Sequence, residues 1–317
     1  MQSDLSAMMV RDAAARIKPL ARRTPVFSST SINRVAGVEV HFKCENLQRG
    51  GAFKIRGASN LILSIPNEDL ARGVVAFSSG NHAQAVAMAA KHVGTAATIV
   101  MPEDAPRGKM EATRNHGANI ITYNRRRESR EAIAAQILKD TGATLVPPFD
   151  HLLVMAGQGT AALELLEAVP HLDAIIAPIG GGGLLAGCAT IAKALDPDIH
   201  VFGAEPERAN DTYLSMQAGH RVEIPTPDTI ADGLRSPQPG ALTFPVLQRH
   251  VEKILLVSED EIRSTVKLLL TRMKLLVEPS GAVAAAAVMH HKLPENVRSI
   301  GVILSGGNLD FEDLITY

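Results

Sequence analysis

The sequence predicts an α/β fold: parallel sheets flanked by helices, built as two lobes with a cleft between them. Three observations carry the prediction. Short β-branched runs alternate with Ala-rich helical stretches, glycine-bearing turns sit where strands meet helices, and Pro147-Pro148 separates one such series from the next. The runs are VEVHFK, GVVAFSS, HAQAVAMAAKHV, ATIVMP and so on to SIGVILS. The junctions fall at 74–91, 174–195 and 301–310. After Pro147-Pro148 the chain resumes with MAGQGTAALELLEAV, so the expected division is a smaller lobe at 73–143 and a larger one made of 1–72 and 144–317. Ligands of such folds bind at the carboxyl ends of the strands, where turns meet helix N-termini. No internal repeat or low-complexity tract interrupts the pattern.

Composition narrows the function. The 317 residues are 46% hydrophobic and 21% charged, with a formal net charge of -1 and a pI near 6.8. A balanced charge gives no electrostatic footprint for nucleic acid or an anionic membrane surface, which leaves a small molecule as the expected partner. Aromatics at 3% and the lack of Trp argue against a base-stacking platform. Cys44 and Cys188, far apart, read as reduced core residues and not as a disulfide framework. The N-terminus has no basic stretch followed by an apolar run, and nothing is long enough to span a bilayer, so the cytoplasm is the expected compartment.

Gly180-Gly181-Gly182-Gly183 follows an apolar strand and precedes the helical LLAGCATIAKAL. N–H groups without intrahelical partners and the positive end of the helix dipole make that junction a phosphate site, and only glycine lets backbone approach so closely. The kind of phosphate stays open. Gly181-x-Gly183-x-x-Ala186 meets a loose dinucleotide fingerprint, with Glu205 near the place of a ribose-binding acid, so a nicotinamide-dependent oxidoreductase competes with a single-phosphate ligand. Lys54, inside the Gly- and Ala-rich segment from Glu45 to Ala58, favours the second. A desolvated lysine near other cations has a lowered pKa and can form a Schiff base with a carbonyl, and Arg56 two residues on is compatible with that, although spacing does not prove it. A lone lysine is otherwise a solvated charge.

FKIRGA, SSGNHAQA, AGQGT, PIGGGGLLAG, GAEP, EPSGAV and LSGGN occur in this order. Together they resemble the serine/threonine dehydratase and serine racemase family, which includes 3-hydroxyaspartate dehydratases, over nearly the whole chain from Arg23 to Asp310. The resemblance implies pyridoxal phosphate and the two-domain tryptophan-synthase-β-like architecture known as fold type II, with the active site in the interdomain cleft. Lys54 resembles the lysine that carries the cofactor and moves protons on one face. Phe53 looks like the residue packed against the ring, Asn81 like the donor to the phenolic oxygen, and Ser305 like the hydroxyl facing the pyridine nitrogen. Gly180, Gly181, Gly182 and Gly183, with the N–H of Leu184, look like the phosphate cup. A neutral hydroxyl at the pyridine nitrogen makes a weaker electron sink than a carboxylate would, which favours loss of a β-hydroxyl over transamination.

Ser79 resembles the serine that serves racemases on the face opposite the lysine; its plainer role is a helix cap. The turn of Ser78, Ser79, Gly80, Asn81 and His82 is the expected seat of a substrate carboxylate. Glu205, Ala209 and Asp211 resemble a divalent-cation site of the racemase-like branch, two carboxylates and a main-chain carbonyl suited to Mg²⁺ or Ca²⁺, with Mn²⁺ a further option. Two positions depart from the family: Ala52 and Gly50 stand where Ser and Thr are usual.

The substrate hints conflict. Pro147-Pro148-Phe149-Asp150-His151 looks like threonine dehydratases, whereas Glu128-Ser129-Arg130-Glu131 resembles serine racemases and hydroxyaspartate dehydratases. Arg130 could clamp a second substrate carboxylate or could be a solvated arginine. The chain ends soon after SGGN, so an isoleucine-sensing regulatory domain is not expected, while relatives imply a homodimer. The leading expectation is a dehydratase, an ammonia-lyase acting on a small 3-hydroxy amino acid. A racemase using Lys54 and Ser79 comes second, then the oxidoreductase and a non-catalytic binding protein.

Overall fold

A computed structural model describes residues 4–78, 80–105 and 107–314. Ser79 therefore lies outside the described residues. Among the described residues ten strands form two sheets. The larger uses β1 (Val26–Phe27), β2 (Glu39–Cys44), β7 (Ala174–Pro178), β8 (His200–Pro206), β9 (Lys253–Val257) and β10 (Ser299–Leu304), in the order β1-β2-β10-β7-β8-β9. The smaller uses β3 (Val74–Phe77), β4 (Ala97–Pro102), β5 (Asn119–Tyr123) and β6 (Thr144–Leu145), in the order β5-β4-β3-β6. The protein is thus a two-domain α/β fold.

Side-chain alternation explains why both sheets are covered on both faces. In β7, Ala174 and Ile176 enter one core while Ile175 and Ala177 enter the other; β8 and β9 divide in the same way, as do Val74 and Ala76 against Val75 in β3. Strands apolar on both faces need helices on both, which is the doubly wound arrangement. The sheets are parallel with one exception. β1 pairs antiparallel with β2, Val26 opposite Lys43, so the larger sheet is mixed and not parallel throughout. A two-residue edge strand carries too little alternation to be read from sequence.

β6, at Thr144–Leu145, pairs with β3, which extends the smaller sheet just past residue 143. The Lys54–Ile62 helix bridges the two parts. Its Ile55, Ala58, Leu61 and Ile62 share a core with Val86 and Ala90 of the Asn81–Val93 helix and with Val154 of the Leu152–Ala168 helix. Close approach depends on glycine here: a Cβ on Gly157 would lie 2.5 Å from the Arg56 carbonyl oxygen, and one on Gly57 would lie 2.8 Å from that of Val154. Both cysteines are buried and free, as expected, and burial pushes each thiol up to about 12. Among the described residues no helix is long and apolar enough to cross a membrane.

Candidate active site

Lys54 opens the Lys54–Ile62 helix. The segment before it is pinned to the strand end at 305: Phe53 donates its N–H to the Ser305 carbonyl at 3.0 Å, Gly307 donates to the Gly51 carbonyl at 2.8 Å, and Ala52 bridges to Gly306. This pairing sets Phe53, Lys54 and Ser305 side by side, although some 250 residues of sequence separate them. Gly50 and Gly51, both at φ +70°, make the tight entry, a conformation that Thr would resist. The Lys54 amine donates to the Pro148 carbonyl at 2.8 Å and sits 5.1 Å from the centre of the Phe53 ring. The residue as a whole is half-buried, but the amine is enclosed. Burial alone lowers its pKa from 10.5 to about 8.

That cause corrects the expectation for Arg56. The guanidinium is fully buried and plays no part in the Lys54 shift. It is held bidentately by Glu45, at 2.7 and 2.8 Å, and by both oxygens of Glu164 at 2.8 Å, with further donation to the Thr160 hydroxyl. Lys43 also reaches Glu164, at 2.6 Å. Two cations and two carboxylates therefore tie β2, the segment after it, the Lys54 helix and the Leu152–Ala168 helix together.

The glycine loop lies at the carboxyl end of β7 and leads into the Gly183–Leu195 helix, whose first N–H groups lack intrahelical acceptors. A Cβ on Gly181 would lie 2.3 Å from the Phe149 ring, and one on Gly183 would lie 2.8 Å from the Gln158 amide oxygen. At Gly182, φ is +91° and a Cβ would lie 2.8 Å from the Thr243 hydroxyl. A Cβ on Gly180 would lie 3.3 Å from the Gly233 carbonyl oxygen, and Leu184 is buried. This cradle admits no side chain and leaves backbone facing a ligand, which fits a phosphate monoester. Glu205 does not fit the dinucleotide alternative. It is fully buried and accepts from the N–H groups of Thr212 and Tyr213, so it cannot reach a ribose.

Asn81 begins the Asn81–Val93 helix, with Gly80 as its cap and the Ser78 hydroxyl accepting the Gly80 N–H. Its amide is oriented by two residues that single-residue reasoning overlooked. Asn81 donates to Glu278 at 2.7 Å and accepts from Asn308 at 2.8 Å, while Asn308 also donates its own N–H to Glu278 and its side-chain amide to the Gly50 carbonyl. Glu278 and Asn308 lie in the EPSGAV and LSGGN motifs, so the signal was present but unassigned. Among the described residues the second Asn81 amide hydrogen meets no acceptor. His82 is buried, with one ring nitrogen 2.8 Å from the Val146 carbonyl oxygen; burial, helped by the Lys54 charge, lowers it to about 3, so it is neutral.

Arg130 starts the Arg130–Thr141 helix. With Ser78, Val100, Pro102, Tyr123 and Arg125 it lines a small pocket at the carboxyl ends of the smaller sheet's strands. Its guanidinium lies 5.2 Å from the centre of the Phe77 ring, and its ε-nitrogen pairs with Glu131 at 2.7 Å. It is 44% exposed, which makes it neither a free surface charge nor a buried clamp.

Glu205, Ala209 and Asp211 come together at the end of β8. All three are fully buried, and both Asp211 carboxylate oxygens have no hydrogen-bond partner among the described residues. Burial, together with the neighbouring Asp211 charge, raises Glu205 well above the usual carboxylate range; burial raises Asp211 to about 8. No group of three or more His, Cys, Asp or Glu that could hold a metal occurs among the described residues.

The family model for pyridoxal-phosphate dependent enzymes matches residues 17–306. The chain belongs to that family. An L-threo-3-hydroxyaspartate ammonia-lyase of Saccharomyces cerevisiae is 47% identical over 97% of this chain and 94% of its own. A serine racemase of Dictyostelium discoideum is 45% identical over 96% and 95%. Its crystal structure superposes with a TM-score of 0.93, covering 98% of this chain and all of that one, at 44% identity. A maize serine racemase structure gives 0.96 at 44% identity over 99% and 97%. The chain is therefore a pyridoxal-phosphate dependent enzyme of fold type II, within a family that includes both ammonia-lyases and racemases of small amino acids. The dinucleotide and non-catalytic readings fall with that result.

Proposed function

We propose that the chain is a serine racemase that also eliminates water from 3-hydroxy amino acids. This reverses the order expected from sequence, where dehydration led, because serine racemases of several organisms recur among the relatives at 44–46% identity over 95–97% of this chain. The observation that carries the proposal is the enclosed Lys54 amine, 2.8 Å from the Pro148 carbonyl, with its charge felt by the buried His82 ring at the head of the Asn81–Val93 helix. When bound, pyridoxal phosphate supplies the electron sink that makes a Cα proton acidic. Lys54 takes that proton on one face, since a pKa near 8 leaves a useful fraction of neutral amine. Ser79 supplies a proton on the other face. Ser78, Gly80, Asn81 and His82 present the head of a 13-residue helix to the substrate carboxylate. Gly180 to Gly183 and the Leu184 N–H hold the phosphate, Phe53 packs on the ring, Asn81 donates to the phenolic oxygen, and Ser305 faces the pyridine nitrogen.

Elimination is the second reading, and Arg130 favours it for 3-hydroxyaspartate. Its terminal nitrogens beside Ser78 suit a second carboxylate. Incubation with L-serine in deuterated buffer, followed by chiral separation and oxo-acid assay, tests the order. D-Serine carrying deuterium at Cα is expected as a principal product; pyruvate and ammonia with no D-serine would sink the racemase reading and leave the lyase.

For the metal, the two buried carboxylates favour a cation held by Glu205, Asp211 and the Ala209 carbonyl, with water completing the oxygen shell of Mg²⁺, Ca²⁺ or Mn²⁺. Two like charges cannot otherwise share a buried site without taking up protons. Millimolar Mg²⁺ is expected to raise the melting temperature of the wild type by several degrees over a chelated sample, and to leave Asp211→Asn unchanged. An equal rise in both would dismiss the site. We also propose a cytoplasmic homodimer in which 73–143 forms the body of the small domain and 1–72 with 144–317 the large one.

A further inference from the structure

We infer that Asp150 and Thr243, neither of which touches the cofactor in the reading above, are positioning residues that keep the glycine loop open as a phosphate cup. The inference rests on the proposal that Gly180 to Gly183 hold the cofactor phosphate. A loop can aim its N–H groups at an anion only if its carbonyls are turned elsewhere and satisfied there, because a carbonyl oxygen facing phosphate would repel it. The Gly181 carbonyl is turned away and held by two donors, the Thr243 hydroxyl at 2.7 Å and the Gly240 N–H at 3.1 Å. Both donors belong to one short turn. That turn is anchored by the Asp150 carboxylate, which accepts from the N–H groups of Ala241 at 2.9 Å, Leu242 at 2.8 Å and Thr243 at 3.3 Å.

Packing leaves little slack. Thr243 is fully buried, a Cβ on Gly240 would lie 2.3 Å from an Asp150 oxygen, and a Cβ on Gly182 would strike the Thr243 hydroxyl. The two residues before Asp150 complete the device. Phe149 lays its ring against Gly181, and Pro148 offers the carbonyl that takes the Lys54 amine. Three consecutive residues therefore fasten the lysine and the phosphate loop to each other, across a distance in sequence that no local motif spans. Asp150 acts through the turn and Thr243 through one carbonyl, so loss of either lets Gly181 rotate and sets a carbonyl against the phosphate.

The test compares pyridoxal phosphate with pyridoxal, which lacks the phosphate, as ligands of the cofactor-free full-length protein, read by equilibrium dialysis and absorbance. Thr243→Val is expected to weaken pyridoxal phosphate about tenfold, the size of one lost buried hydrogen bond and its unsatisfied partner, and to change pyridoxal less than twofold. Thr243→Ser, which keeps the hydroxyl, should stay within threefold of wild type, and Asp150→Asn should fall between the two. Equal weakening of both ligands by Thr243→Val would make the role merely structural and overturn the inference, as would unaltered affinity for pyridoxal phosphate in a folded variant. A wild type that binds the two ligands equally well would instead remove the phosphate-cup reading on which the inference stands, so the two failures are told apart.

Discussion

Lys54→Ala is expected to lower turnover of L-serine by about 10⁴-fold or more, in both racemisation and elimination. In the proposed reading one amine does two things: it holds the cofactor carbonyl and it takes the Cα proton. Neither Phe53 nor Arg56 can replace it, the first being apolar and the second buried with its guanidinium donating to the Glu45 and Glu164 carboxylates and the Arg22 carbonyl. Lys54→Arg sharpens the point. It retains a positive charge but, with a guanidinium that stays protonated at neutral pH, has no lone pair to offer. Lys54→Arg is expected to be as inactive as Lys54→Ala, measured as D-serine and pyruvate formed per hour with saturating cofactor. Substantial activity in Lys54→Arg would mean that charge, and not the amine, is what the site needs.

The second large effect is on stability. Arg56→Met keeps much of the side-chain volume but removes the guanidinium paired with Glu45, leaving that carboxylate the Thr24 hydroxyl and Gln48 amide, and leaves Glu164 only Lys43. Removing one partner of a buried ion pair costs roughly 3–5 kcal/mol, because a desolvated charge is left uncompensated. For a chain of this size that is a fall in melting temperature of roughly 5–15 °C. Pairing it with Glu45→Gln should recover part of the loss, since the double variant removes opposite charges together.

The pH dependence follows from Glu164. Burial works to raise its pKa, but hydrogen bonds and charge from Arg56 and Lys43 outweigh that and hold it below the ordinary 4.5. A depressed carboxyl pKa contributes stability that is present above 4.5 and lost as pH falls through the depressed value. The gap between wild type and Arg56→Met, followed by thermal melts, should therefore narrow in acid. A gap that widens as pH falls would contradict the ion-pair account.

Much of this was legible in the sequence because it is written locally. Two-residue alternation in AIIAP and SIGVIL, and glycine runs at strand ends, specify the doubly wound sheets and the glycine loop without any knowledge of neighbours. Lys54 stood out because glycine and alanine surround it. The ion cluster did not, since Lys43, Glu45, Arg56 and Glu164 are spread over 121 positions and each reads alone as a solvated charge. The same holds for Asp150 and Thr243, 93 positions apart. Glu278 and Asn308 were visible as parts of motifs, but their shared grip on Asn81 depends on how three loops converge. The antiparallel β1 was too short to leave a pattern.

The most direct test of the central claim is to load the purified protein with pyridoxal phosphate, reduce it with borohydride, and map the modified peptide by mass spectrometry. The account predicts a single pyridoxyl group, on Lys54, and its loss from that peptide in Lys54→Ala without transfer to another lysine. Stoichiometric labelling of any other lysine in the wild type would contradict it.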